Sequence, residues 1–379
     1  MRHDTIIVYA WCILGIFRLQ YLDIPSMTNE KITFAGLAQP EAKKQVSVWD
    51  DVAEKIARPF SPWQGDSHSW CMKNASKEYQ GLLYLKVSKT ASSTAVGVTF
   101  RIAEKVGARM LNNSTCAHRW KHGISFNNLE RPYLLWTSVR DPATRALSEF
   151  FHFKVSRNGV APTTKEMILM LNQRKNYQLR RQAKRFSKKL PADDALDMDT
   201  TSNFIDRQLL ARYSFVAVAE RMDESLVVMK LLFDLDDGDI VVLSSKKSGG
   251  YDDGKYKERC IKVQKAFTTP EVDEFIRTNF TEGNYDYLLY AATNRSLDLT
   301  INALGRERVE EEIRKYRTLK QLAETSCQDE AVFPCSDDGT RQIEASLDSC
   351  YWNDAGCGHS CVDRVIEDHQ NGQLNLPAI

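Results

Sequence analysis

Four short apolar runs stand out along the chain: 81–87 (GLLYLKV), 133–139 (YLLWTSV), 214–219 (SFVAVA) and 239–243 (DIVVL). They have strand length and little polar alternation, the pattern of strands covered on both faces. Segments of helical periodicity separate them. From 95 to 106, Val96, Phe100 and Ala103 fall on one face. A helix is expected from Pro142 to about Lys154, with Pro142 in its first turn and Asp141 as N-cap. Further helices are expected over 223–233 and 306–323, the latter carrying Val309, Ile313, Tyr316, Leu319 and Leu322 at helical spacing. Strands alternating with helices predict an α/β fold with a central parallel sheet.

The two ends depart from this pattern. Residues 5–17 form an apolar run, followed by Arg18 and then Leu19-Gln20-Tyr21-Leu22. The run matches a signal-peptide core, which spans roughly 7–15 residues. With Arg18 snorkelling, 5–22 also fits an uncleaved membrane anchor. Pro25, Pro40, Pro59 and Pro62 interrupt periodicity through 23–78, which reads as a stem or linker with short helices. The expected layout is 1–22 as signal anchor or signal peptide, 23–78 as stem, 79–326 as the main domain and 327–379 as a cysteine-rich tail.

Eight cysteines lie outside the apolar run, five of them between 327 and 361. Such crowding in a weakly patterned stretch reads as disulfide stapling in an oxidising compartment. Zinc is the competing reading of Cys357, His359 and Cys361, but their spacing matches no common finger. Asn74, Asn112, Asn113, Asn279 and Asn294 each head an N-x-S/T triplet. Together these features point to the secretory pathway.

The composition excludes a disordered polyelectrolyte: among 379 residues, 51 Lys and Arg face 50 Asp and Glu. That balance hides a segregation. Residues 154–190 hold eleven Lys and Arg against one Glu, and 327–370 hold ten acidic residues against two Arg. A nucleic-acid partner is disfavoured by the secretory features; a groove for an anionic glycan or a nucleotide suits the basic segment better.

Two segments carry chemistry. Lys89-Thr90-Ala91-Ser92-Ser93-Thr94 joins an expected strand to an expected helix. A helix N-terminus offers unpaired N–H groups to an anion, and Lys89 adds a full charge. The segment lacks the GxxxxGK[ST] pattern, which disfavours a nucleoside-triphosphate kinase. The second segment, Arg140 to Ser148, again follows a strand. An arginine fork with a hydroxyl two helical turns on suits a phosphate monoester.

Taken together, the two segments resemble the Golgi carbohydrate sulfotransferases. The likeness is greatest to the galactose-3-O-sulfotransferase family, whose F-L-K-T-H-K-T-G-S-S-T pattern is similar to Tyr84–Thr94 here. Cys116-Ala117-His118, Ala219–Val227 and Gly305–Ile313 resemble three more segments of that family. The resemblance spans about 80–327. It implies a P-loop-type three-layer sandwich with a helical, cysteine-rich C-terminal extension. It implies sulfuryl transfer from 3′-phosphoadenosine 5′-phosphosulfate (PAPS) to a hydroxyl of a galactose-like or uronyl residue, with no metal. Lys89 to Thr94 (Lys89, Thr90, Ala91, Ser92, Ser93 and Thr94), Arg140 and Ser148 are expected to hold PAPS. Lys89 would also stabilise the leaving oxygen, and His118, with His122 second, would be the general base. Glu220 is a further candidate base or ligand. The implied partners are a glycan acceptor and, through the N-terminus, a Golgi membrane with a lumenal catalytic domain; cleavage would instead secrete the protein. The alternative is a secreted glycan-binding protein with an inactive sulfotransferase fold. One departure is Ala91, where many members have glycine: alanine pays about 1 kcal/mol or more for a left-handed conformation.

Overall fold

The computed structural model describes residues 40–64, 66, 68–73, 80–122, 132–186, 190–243, 251–252, 261–327 and 358–372. The expected N-terminal anchor, Cys260, Cys335, Cys350, Cys357 and the Asn74 triplet lie outside the described residues. Among the described residues no helix is long and apolar enough to cross a membrane.

Four parallel strands form the central sheet: β1 (Gly81–Leu85), β2 (His118–Lys121), β3 (Tyr133–Val139) and β4 (Phe215–Val218), in the order β2-β1-β3-β4. Leu82 pairs with His118 on one side and Leu134 on the other, and Trp136 pairs with Phe215. All five residues of β1 are buried, which explains its unbroken apolar run. Gly81 starts β1 with φ 89°, and a Cβ there would collide with the Ala117 carbonyl oxygen. β2 is an edge strand made of His-Arg-Trp-Lys, whose polar composition gives no apolar signal.

Helices pack on this sheet. α1 (Pro40–Ile56) precedes β1, and α2 (Ser92–Met110) follows it. Trp49, Ala53, Phe60 and Trp70, all within the expected stem, are buried in the main core. After β3, α3 (Pro142–Glu149) is capped by Asp141, whose side chain accepts from the Thr144 N–H at 2.7 Å. The helix runs on through a wider, π-type stretch, Phe150–Arg157. α4 (Thr164–Asn172), α5 (Tyr177–Arg185) and α6 (Met198–Phe204) lead to β4, and α7 (Met222–Phe233) follows it.

The expected strand over 239–243 is not formed. Asp237–Ile240 is a one-turn helix, α8, and 241–243 pair with no strand. A capping box of Asp236 and Asp239 starts this turn, and Asp239 accepts two bonds from Arg109 at 2.8 and 2.6 Å. Ile240, Val241, Val242 and Leu243 are all buried, so the apolar run reports burial and not pairing. The remaining elements are the antiparallel pair β5 (Tyr251–Asp252) and β6 (Ile261–Lys262), then α9 (Pro270–Phe275), α10 (Asp286–Leu304), α11 (Arg306–Ser326) and α12 (His359–Gln370).

Two disulfides are formed among the described residues. Cys71–Cys116 joins the segment before β1 to the turn two residues ahead of β2. Cys327–Cys361 ties the end of α11 to α12, which uses one of the three side chains a zinc reading would need. α12 buries Val362, Val365 and Ile366 in the main core. A smaller apolar cluster gathers Leu147, Phe150, Phe151, Met167, Met170, Val272 and Phe280 beneath the helix that follows β3.

Candidate functional site

The β1–α2 and β3–α3 connections leave the sheet at its carboxyl edge, where open α/β sheets place their ligands. Both line one cavity of about 410 Å³. Lys89, Ala91, Ser92, Ser93 and Thr94 come from the first connection, Arg140 and Ser148 from the second. His122, Lys86, Ser88 and Arg157 complete its polar wall, and no carboxylate is among the described residues that line it.

The loop ahead of α2 is wound by left-handed residues. Lys89 has φ 66° and Ala91 φ 58°. Ala91 therefore adopts the conformation that glycine takes freely, and it does so at the N-cap of α2. Burial of Thr90 holds the turn from beneath. Its Oγ1 donates to the Val87 carbonyl at 3.0 Å, while Ser138 Oγ donates to the Thr90 carbonyl at 2.8 Å. The Tyr84 hydroxyl lies 2.9 Å from Ser138 Oγ. Thr90 thus faces the core and is fully buried, whereas Lys89, Ala91, Ser93 and Thr94 of its segment are only partly so.

Arg140 is held from several sides. Its backbone N–H donates to Gln178 Oε1 at 3.0 Å, and Gln178 Nε2 donates back to the Arg140 carbonyl at 2.8 Å. Its guanidinium donates from Nη1 to the Lys89 carbonyl at 3.2 Å, and its Nε lies 3.5 Å from Glu220 Oε1. Burial pulls the Arg140 pKa down, with Glu220 and Asp141 opposing. Glu220 also accepts the Asp141 N–H at 3.2 Å. Its observed part is to orient Arg140 and the start of α3. Ser148 reaches the cavity from α3, and Ala146 and Leu147 beside it are buried.

The two expected base histidines fall in different places. His118, on β2, sets Nδ1 3.0 Å from the Cys116 carbonyl and packs edge-on to Phe100 at 5.7 Å. It does not line the cavity. His122 does, with Nδ1 3.1 Å from the Lys86 carbonyl. A carbonyl only accepts, so Nδ1 carries the proton and Nε2 is the basic nitrogen of the neutral ring.

Several lining residues had no part in the sequence expectation. Phe151, His152, Phe153 and Arg157 come from the wide turn after α3. Such turns are common at functional sites because they shift side chains out of α-helical register. The buried His152 was visible in the sequence only as one histidine of seven. Arg157 belongs to the basic run, which was the one available signal for it. Val263, Gln264 and Ala266 close the cavity from beyond β6. There the Gln264 N–H donates to Ser156 Oγ at 2.9 Å, and Ser156 Oγ donates to the Phe151 carbonyl at 2.7 Å.

Four cations, five hydroxyl-bearing side chains and a helix N-terminus surround one cavity, a lining whose chemistry suits an anionic ligand. No family model, curated protein or solved structure matches this chain.

Proposed function

We propose that the protein is a PAPS-dependent sulfotransferase acting on a glycan hydroxyl, with a P-loop sulfotransferase-type fold and a place in the Golgi lumen. The observation that carries this reading is that the Lys89–Thr94 loop and the Arg140…Ser148 element line the same cavity. The residues present suit the donor: its phosphate and phosphosulfate groups call for cations and hydroxyls, which the described lining supplies.

PAPS supplies the sulfuryl group. Lys89, Ser92, Ser93 and Thr94 would hold the phosphosulfate end, and Lys89 would stabilise negative charge growing on the leaving phosphate oxygen. Arg140 and Ser148 would hold the 3′-phosphate. His122 takes the acceptor hydroxyl proton at Nε2, while its Nδ1–H stays on the Lys86 carbonyl. General-base catalysis of this kind contributes roughly 10²–10⁴-fold.

Lys89→Ala is expected to abolish transfer from labelled PAPS while the thermal unfolding midpoint stays in place. His122→Ala is expected to lower kcat by about 10²–10⁴-fold. Unchanged transfer in Lys89→Ala would defeat the mechanism. PAP binding without turnover on any acceptor would favour a glycan-binding protein that has lost catalysis.

A further inference from the structure

Asn112, Asn113, Asn279 and Asn294 head the N-x-S/T triplets among the described residues. The triplets differ in whether the amide and the hydroxyl two residues on both face solvent. Asn294 and Ser296 sit inside α10. Asn294 is half-buried, its Nδ2 donating to the Tyr290 carbonyl at 3.1 Å and its Oδ1 accepting from Arg221 at 3.4 Å. Ser296 is fully buried, and its Oγ accepts the Arg58 N–H at 3.2 Å. Asn279 is exposed but belongs to the wide helical stretch Ile276–Phe280. Its hydroxyl residue, Thr281, is buried and donates to the Ile276 carbonyl at 2.6 Å. Asn112 and Asn113 instead form the turn between α2 and β2, and both are exposed, as is Thr115. They hold left-handed φ angles of 50° and 63°, which asparagine adopts more readily than most residues.

This turn is pinned from beneath. The chain after it lies so close to α2 that a Cβ on Gly107 would meet the Ser114 carbonyl oxygen at 2.2 Å. The Cys116 N–H donates to the Ala103 carbonyl at 2.9 Å, and Cys116 is bonded to Cys71. The Asn113 and Ser114 N–H groups close the turn on the Ala108 and Leu111 carbonyls, each at 3.2 Å. The backbone is thus engaged while the two asparagines stay at the surface. We propose that Asn113 is a modification site, the attachment point of an asparagine-linked oligosaccharide. Asn112 shares the turn, but its hydroxyl residue, Ser114, is half-buried. The modification rests on the lumenal placement in the sulfotransferase reading, since a glycosyltransferase of that compartment performs it. The sugar comes from a lipid-pyrophosphate-linked oligosaccharide. Its C1–O bond to the pyrophosphate breaks, a C1–Nδ2 bond forms, the amide gives up one proton, and the lipid pyrophosphate leaves. α2 is 19 residues long and begins at the cavity wall, so at about 1.5 Å per residue its far end lies roughly 28 Å from the cavity. An oligosaccharide on Asn113 therefore leaves the cavity open.

The test translates the full chain in the presence of endoplasmic-reticulum microsomes. Protease protection reads the compartment. Amidase release of N-glycans in ¹⁸O-labelled water turns each glycan-bearing asparagine into a labelled aspartate, which peptide mass locates. Label is expected at Asn113, with Asn294 unlabelled. The double variant Asn112→Gln, Asn113→Gln is expected to migrate one glycan lighter than wild type. Glutamine suits a left-handed turn less well than asparagine, so Ser114→Ala with Thr115→Ala is the second variant. It keeps both asparagines, removes both hydroxyls and is expected to show the same loss. A chain that is protected from protease yet unlabelled at Asn113 overturns the site alone, and label at Asn294 overturns the burial argument behind it. A chain that the protease digests overturns the lumenal placement and the site with it.

Discussion

Ala91 holds a local conformation poorly suited to an L side chain. At φ 58° it occupies the left-handed region, and so does its neighbour but one, Lys89 at φ 66°. An L-residue pays about 1–2 kcal/mol there, whereas glycine pays little. Ala91→Gly is therefore expected to stabilise the fold by up to about 1 kcal/mol, the gain reduced by glycine's greater unfolded-state entropy. Urea denaturation measures it, and a loss of stability would show that the loop relaxes out of the left-handed turn. Lys89, Arg140 and Ser148 were readable as a set because their spacing from two strand ends is local information. The orientation of Thr90 was not, since it follows from the Tyr84 and Ser138 hydroxyls of two neighbouring strands. The choice between His118 and His122 likewise depends on the tertiary fold, which brings His122 and not His118 to the cavity wall.

At the scale of elements, α5 shows how a distant segment positions the site. Asp286 is fully buried and accepts the N–H groups of Gln178 at 2.9 Å and Leu179 at 2.8 Å, while Gln178 grips Arg140. Asp286 thus fixes the first turn of α5 behind the cavity. Burial raises its pKa from 3.8 to about 6, the two backbone bonds and Arg145 opposing. The folded chain therefore holds the proton more tightly than the unfolded one. The stability this contributes is full below about pH 4 and lost as pH rises through about 6, on the order of 3 kcal/mol. Asp286→Asn is expected to flatten that part of the profile. Urea midpoints of the two proteins at pH 4 and pH 7 check it, and parallel profiles would refute it. Glu149 behaves oppositely: burial pushes it up, but Arg145 and Arg174 outweigh this and hold it below its usual range. The same scale exposes two limits of pattern reading. β2 went unseen because an edge strand of four polar or amphipathic residues needs no apolar run. The 239–243 run looked like a strand because four consecutive buried apolar residues look alike in either geometry.

Across the whole molecule, a near-neutral total coexists with a strongly cationic cavity. Lys86, Lys89, Arg140 and Arg157 meet there, and no acid is among the described residues of its lining. PAP affinity is therefore expected to fall with ionic strength, roughly tenfold from about 0.05 to about 0.5 M salt. Calorimetry across that range tests it, and a flat response would mean that the cations are compensated by the rest of the chain. Part of the basic run is indeed compensated: Arg180 pairs with Asp193 at 2.7 Å and Arg174 with Glu149 at 3.0 Å. Arg181 instead lies over the Tyr177 ring, 5.1 Å from its centre. The N-x-S/T triplets also separate by position. Asn112, Asn113 and Asn279 are exposed, whereas Asn294 is half-buried in α10 and donates to the Tyr290 carbonyl at 3.1 Å.

The sequence alone determined the α/β class, three of the four strands of the sheet, the Asp141 cap and the Lys89, Arg140 and Ser148 placements. Each of these depends on residues within a few positions of one another, where periodicity and turn chemistry act. The tertiary structure alone decided the partners of Cys71 and Cys327, the core role of Trp49 and Phe60, and the entry of His152 and Val263–Ala266 into the cavity wall. Those features join residues far apart in the chain, and packing and long-range hydrogen bonds, which leave no periodic trace, set them.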